Sequence, residues 1–165
     1  MDLTESIQAR SDQINADDLV TGPMTYTIRE VIGGKAESPF DFMLVETDRA
    51  YRPSKTQRRV IVAGWGPKAE FYGGRRLTLY REPSIKFGGK TVGGIQVSHM
   101  SHITERVEVM LQVTRGKREK FVVDPLPDPT PAERLASLRA EWQTADPERR
   151  AAIEAESQAL QGGTA

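Results

Sequence analysis

Apolar and polar residues alternate through the middle of this chain with the period of two that marks a half-buried strand. In Met24 to Ile32 (MTYTIREVI), Met24, Tyr26 and Ile28 face one side, and Thr25, Thr27 and Arg29 the other. Phe40 to Thr47 (FDFMLVET) reads as a second strand. The stretch from Gly73 to Ile103 repeats the period through Leu77, Leu79, Ile85, Phe87, Val92, Ile95 and Val97. Gly88-Gly89-Lys90 stands where a hairpin would close, and Gly93-Gly94 where a bulge or a close backbone approach is expected. Val107, Val109, Leu111 and Val113 alternate cleanly, Arg115-Gly116-Lys117-Arg118 forms a basic loop, and Lys120 to Val123 closes the last hairpin.

Two regions break the strand period. Ser54 and Gln57 have the spacing of a capping box, S-x-x-Q, ahead of RRVIVAGWG. The Val-Ile-Val run favours a strand and the cap favours a helix; helix over 54–65 is the expectation. After the proline-rich Asp124-Pro125-Leu126-Pro127-Asp128-Pro129, Thr130-Pro131-Ala132-Glu133 opens a helix carrying Leu135, Leu138 and Trp142, and Asp146-Pro147-Glu148 opens another with Ile153 and Leu160. These elements predict an α+β, mainly β fold. Six or seven antiparallel strands would form a small OB-like barrel with one short helix and a helical C-terminal tail. The expected division is a polar N-terminal arm over 1–22, the barrel over 23–124, a linker over 125–130 and the tail over 131–161.

Composition narrows the chemistry. With no cysteine among 165 residues, disulfide frameworks and thiolate chemistry are excluded. No apolar run approaches the roughly 18 residues of a membrane span, and the polar start has no signal-peptide core, so a cytoplasmic protein is expected. The net charge of zero is unevenly spread. Residues 1–50 carry 4 Lys/Arg against 10 Asp/Glu, residues 51–124 carry 15 against 6, and residues 125–165 carry 4 against 7. A basic middle between acidic arms points to a polyanion.

Catalytic groups are sparse. His99 and His102 lack a third metal ligand, no phosphate-loop, nucleophile-elbow or zincin motif is present, and acids are few in the middle segment. No enzyme, metal or cofactor is expected. The middle segment instead interleaves Arg52, Arg58, Arg59, Trp65, Lys68, Phe71, Tyr72, Arg75, Arg76, Tyr80, Arg81, Lys86, Phe87 and Lys90. A basic groove with aromatic faces is how single strands are held, each stacked base contributing roughly 1–3 kcal/mol. Arg58, Arg59, Arg75, Arg76, Lys86, Lys90, Arg115, Lys117 and Arg118 are the phosphate candidates. Tyr80, Trp65 and Phe87 are the stacking candidates, of which Trp65 and Phe87 also suit a core.

PSKTQRRVIVAGWG, the Gly73 to Ile103 run GGRRLTLYREPSIKFGGKTVGGIQVSHMSHI, and TRGKRE together resemble a family of small proteins encoded by tailed phages and prophages, especially of actinobacterial hosts. The likeness covers about Ser11 to Pro125. It implies an OB-type protein associated with replication or recombination, in the host cytoplasm. The expected function is non-catalytic, sequence-tolerant binding of single-stranded DNA, with RNA as an alternative ligand. The competing expectation is an interaction module that binds a host or phage enzyme through the acidic helices of 131–161.

Overall fold

The structure, a computed structural model, describes residues 12–87, 89–91 and 93–162. It divides into two compact units, one running to Leu126 and one starting at Pro127. The first unit contains β1 (Met24–Lys35), β2 (Ser38–Leu44), α1 (Lys55–Trp65), β3 (Arg76–Glu82), β4 (Lys86–Phe87), β5 (Lys90–Thr91), β6 (Gly94–Met100), β7 (Val107–Thr114) and β8 (Lys117–Pro125). Two short 3-10 helices, Ala16–Leu19 and Ala69–Phe71, complete it.

Six strands form one sheet in the order β2-β1-β3-β6-β8-β7, while β4 and β5 make a separate small ladder. The sheet is mixed: β8 runs parallel to β6 through His99↔Asp124 and Met100↔Pro125. It is not the closed, all-antiparallel barrel expected from the alternation, because its outermost strands β2 and β7 do not pair with each other. The reason is topological. The link over 101–106 carries β7 past the position beside β6, and β8 folds back into it, which makes β8 parallel to β6.

One face of the sheet carries the core. Ile28, Leu44, Leu77, Leu79, Val97 and Val123 are buried against Val60, Ile61 and Trp65 of α1. The helix forms because Ser54 caps it, its Oγ accepting from the Gln57 amide at 3.3 Å, and because its apolar residues recur at helical spacing. The Gln57 side chain does not complete the expected capping box. It is buried, and its Oε1 accepts from the Val97 amide at 2.9 Å. That amide adjoins a β-bulge, since Thr78 pairs with His99 and Leu79 with Val97, leaving Ser98 as the extra residue. The bulge expected at Gly93-Gly94 therefore lies at Ser98, whereas Gly94 provides a close approach: a Cβ there would come 2.6 Å from Ile85 Cδ1.

The segment expected to be an arm contributes to this unit. The Ile14 amide donates to the Ala50 carbonyl at 2.9 Å, and Ile14 and Leu19 are buried. Arg52 fixes the same segment, binding Asp12 at 2.9 Å and Asp41 of β2 at 2.7 Å.

The second unit is a helical hairpin, α2 (Pro131–Trp142) and α3 (Pro147–Gly162). Thr130 and Glu133 make the reciprocal cap that their spacing predicts. Arg134 pairs with Glu156 at 2.6 Å and Arg149 with Glu141, tying the helices together, with Leu138 and Ile153 buried. Among the described residues no helix is long and apolar enough to cross a membrane.

Candidate nucleic-acid interface

Strand direction decides which basic residues can act together. Glu82 and Gly94 are paired, so the connection between them, containing β4 and β5, projects from one end of the sheet. It carries Lys86 and Lys90, both exposed. Because β8 is parallel to β6 with Asp124 level with His99, β8 runs back from Asp124 in the direction of this same end to the turn at Arg115-Gly116, seven or more strand residues away. That turn presents Arg115, Lys117 and Arg118, all exposed. Lys117 is 3.1 Å from Glu119, an exposed pair that does little to restrain it.

The helix adds a third basic group. Gln57 bonds to Val97, and Trp65 Nε1 donates to the Ser101 carbonyl at 2.6 Å, so α1 runs along β6 in the same direction. Its first turn therefore lies level with Val97, midway along β6, with the helix start directed toward the end from which the β4–β5 connection projects. Arg59, just after the first turn, is exposed, and Arg58 is half-buried with Nη1 donating to the Pro53 carbonyl at 2.8 Å. Tyr80 stands at the base of the connection on the sheet face away from α1, level with Gln96, whose Oε1 accepts from its hydroxyl at 2.6 Å. Burial and then the nearby Glu82 carboxylate push the Tyr80 phenol above its ordinary range, so it remains neutral. The Phe87 side chain lies outside the described residues.

The remaining candidates belong to the opposite end, about 20 Å away by the length of a seven-residue strand. Trp65 is not a free stacking face. It is buried, its N–H is bonded to Ser101, and its ring meets Tyr72 edge-on at 5.1 Å. Arg75 lies over the Trp65 ring at 5.5 Å. Arg76, which opens β3 opposite Thr27, is at this level too. The two histidines each bond a neighbouring serine, His99 to Ser98 and His102 to Ser101. Among the described residues no group of three or more His, Cys, Asp or Glu side chains could hold a metal ion.

The candidate set from the sequence omitted one residue of the basic end. Arg81 follows Leu77 and Leu79 on the α1 side of β3, pairs with Ile95, and reaches under the β4–β5 connection. The alternation itself was the available signal, because it places a cation where a third apolar residue would continue the stripe.

No family model, no curated protein and no solved structure matches this chain.

Proposed function

We propose that the chain binds single-stranded nucleic acid through the basic end of its sheet, as a non-catalytic, sequence-tolerant protein of phage DNA replication or recombination. What supports this is direction: three separately encoded basic groups, at the start of α1, in the β4–β5 connection and in the β7–β8 turn, are all carried toward the same end of β6. Arg58, Arg59, Lys86, Lys90, Arg115, Lys117 and Arg118 meet phosphates, and Tyr80 offers a ring to a base. Single-strand preference follows from this combination, since exposed cations follow any flexible backbone while an aromatic face needs an unpaired base.

The test is fluorescence anisotropy of labelled oligo-dT at two salt concentrations, beside a duplex and an oligo-U. Binding that favours the single strand and weakens steeply with salt is expected, each neutralised phosphate adding about 0.7 to the slope of log affinity against log salt. Absence of binding at low salt overturns the reading.

A second reading rests on the helical hairpin. A cavity of about 280 Å³ lies beside Leu138, Trp142 and Ile153, and Trp142 is 39% exposed. An aromatic beside an apolar recess suits a protein partner. Deleting residues 127–165 would then abolish function while leaving oligonucleotide affinity unchanged.

A further inference from the structure

The arginines of this protein follow a pattern with one exception. Apart from Arg81, every arginine among the described residues that is not exposed has a partner. Arg49 has Asp18, Arg52 has Asp12 and Asp41, Arg58 has a carbonyl, Arg75 and Arg150 have tryptophan rings, and Arg134 and Arg149 have glutamates. Arg76 also has an interaction. Arg81 is half-buried, its Nε is fully buried, and no acceptor meets it among the described residues. Burying a donor of this kind without a partner is unfavourable. Methionine or leucine would continue the Leu77–Leu79 stripe without that cost.

Its surroundings account for the arginine. The guanidinium lies against Gly93, where an added Cβ would stand 3.3 Å from Nε and 3.4 Å from Nη2, so glycine is what leaves the group room. The Gly93 backbone, at φ +77°, takes the chain back from the β4–β5 connection, and its amide donates to the Ile85 carbonyl at 3.0 Å. Arg81 thus sits at the root of the connection that carries Lys86 and Lys90, on the side of the sheet where α1 begins. No carboxylate among the described residues pairs with it. Of its three nitrogens only Nε is buried without a partner, which leaves the terminal pair open to an external acceptor.

We infer that Arg81 is a phosphate-binding residue, gripping one phosphodiester of the single strand at the root of the β4–β5 connection. The fork of an arginine fits two phosphate oxygens at once, whereas the surrounding lysines act as point charges. This inference rests on the proposed function and assigns one contact within it.

Arg81→Met and Arg81→Lys, compared with the unaltered protein, test it by oligo-dT anisotropy across a salt series together with thermal melts. Arg81→Met is expected to bind about tenfold more weakly, with the salt slope reduced by about 0.7, and to melt no lower than the parent. Arg81→Lys is expected to keep the slope and lose about threefold in affinity, because it keeps the charge and loses the fork. A residue with a purely structural role behaves in the opposite way, so an Arg81→Met protein that unfolds, or melts lower with unchanged affinity, overturns the inference. Unchanged affinity and slope in both variants overturn it while the proposed function stands. If the parent protein itself fails to bind oligo-dT, the proposed function falls and the phosphodiester assignment falls with it.

Discussion

The two ends of the sheet are built from different materials. At one end Trp65, Tyr72, Phe42 and Tyr51 form a continuous chain of ring contacts, with centroids 5.1 to 6.0 Å apart. Its charges are matched as well, with Arg52 between two aspartates and Arg75 over an indole. Toward the other end Arg59, Lys86, Lys90, Arg115 and Arg118 are exposed and have no carboxylate partner among the described residues, and Tyr80 is an aromatic side chain at its edge. The aromatic end is buried and, apart from the Tyr51 hydroxyl, pairs its polar groups internally. The basic end holds most of its charges in water, which costs little and leaves them available to a ligand.

The largest expected effect belongs to the aromatic end. Trp65→Ala removes a buried ring, its bond to Ser101 and its contact with Tyr72, and should cost about 3–5 kcal/mol of unfolding free energy in urea titration. Oligonucleotide affinity, measured where the variant remains folded, should not change. A lost affinity in folded Trp65→Ala would return that residue to the binding surface and break the division between the ends.

The converse experiment removes charge from the β7–β8 turn. Arg115→Gln, Lys117→Gln and Arg118→Gln combined should weaken oligo-dT binding roughly a hundredfold at about 0.1 M salt, equivalent to about 2.7 kcal/mol. The melting temperature should stay where it was, because exposed substitutions of this kind shift stability by only about 0.5 kcal/mol or less. Arg75→Gln, at the other end, should leave binding intact. Equal losses from the two variants would show that the strand runs the full length of the sheet.

How much of this was legible in the sequence depended on whether a feature is local. The α1 start was readable because Ser54 caps its own helix, and the Thr130–Glu133 box was readable for the same reason. Gln57 carried the same local signature, yet its side chain is used 40 residues away at the Ser98 bulge. Nothing in S-x-x-Q distinguishes the two uses. The strands were legible as alternation, but a period of two does not name a strand's neighbour or direction. The parallel β6–β8 pairing, and with it the open sheet, therefore lay beyond reach. The same gap put Trp65, Arg75 and Arg76 in one site with Lys86 and Arg118: sequence proximity joined residues that the direction of β3 separates. The basic loops themselves were plain to read, since charge in a turn needs no partner to interpret it.

A smaller effect follows from acid. Hydrogen bonds from Arg52, opposed in part by desolvation, hold the Asp12 and Asp41 carboxyls below their ordinary value of 3.8. Groups whose folded pKa is depressed contribute stability that is present above the unfolded value and is lost as pH falls through the folded one. Melting temperature should therefore fall below about pH 4, and Arg52→Gln should flatten that decline. At the basic end the corresponding groups are the exposed Lys117–Glu119 pair and Glu82, whose carboxyl is held below its ordinary value by hydrogen bonds from Ser84, and Arg52→Gln leaves both in place. A decline equally steep in Arg52→Gln would place the acid-sensitive groups elsewhere.

The smallest effect tests whether the aromatic end is fully satisfied. The Tyr51 hydroxyl is buried with no partner among the described residues, and burial raises its pKa far above the ordinary range. The ring is anchored by the edge-on contact with Phe42 and by the Phe42–Tyr51 backbone pair, so its position does not depend on the oxygen. Tyr51→Phe keeps those contacts and removes a desolvated donor, which should leave stability unchanged or raise it by about 1 kcal/mol. Tyr72→Phe is the control within the same cluster, because its hydroxyl donates to the Gly66 carbonyl and its loss should lower stability by a similar amount. Opposite signs for two identical substitutions on rings that both contact Phe42 would separate the contribution of the ring from that of the hydroxyl. If Tyr51→Phe destabilises as Tyr72→Phe does, the Tyr51 oxygen has a partner, and the contrast between a paired end and a solvated one would rest on the charges alone.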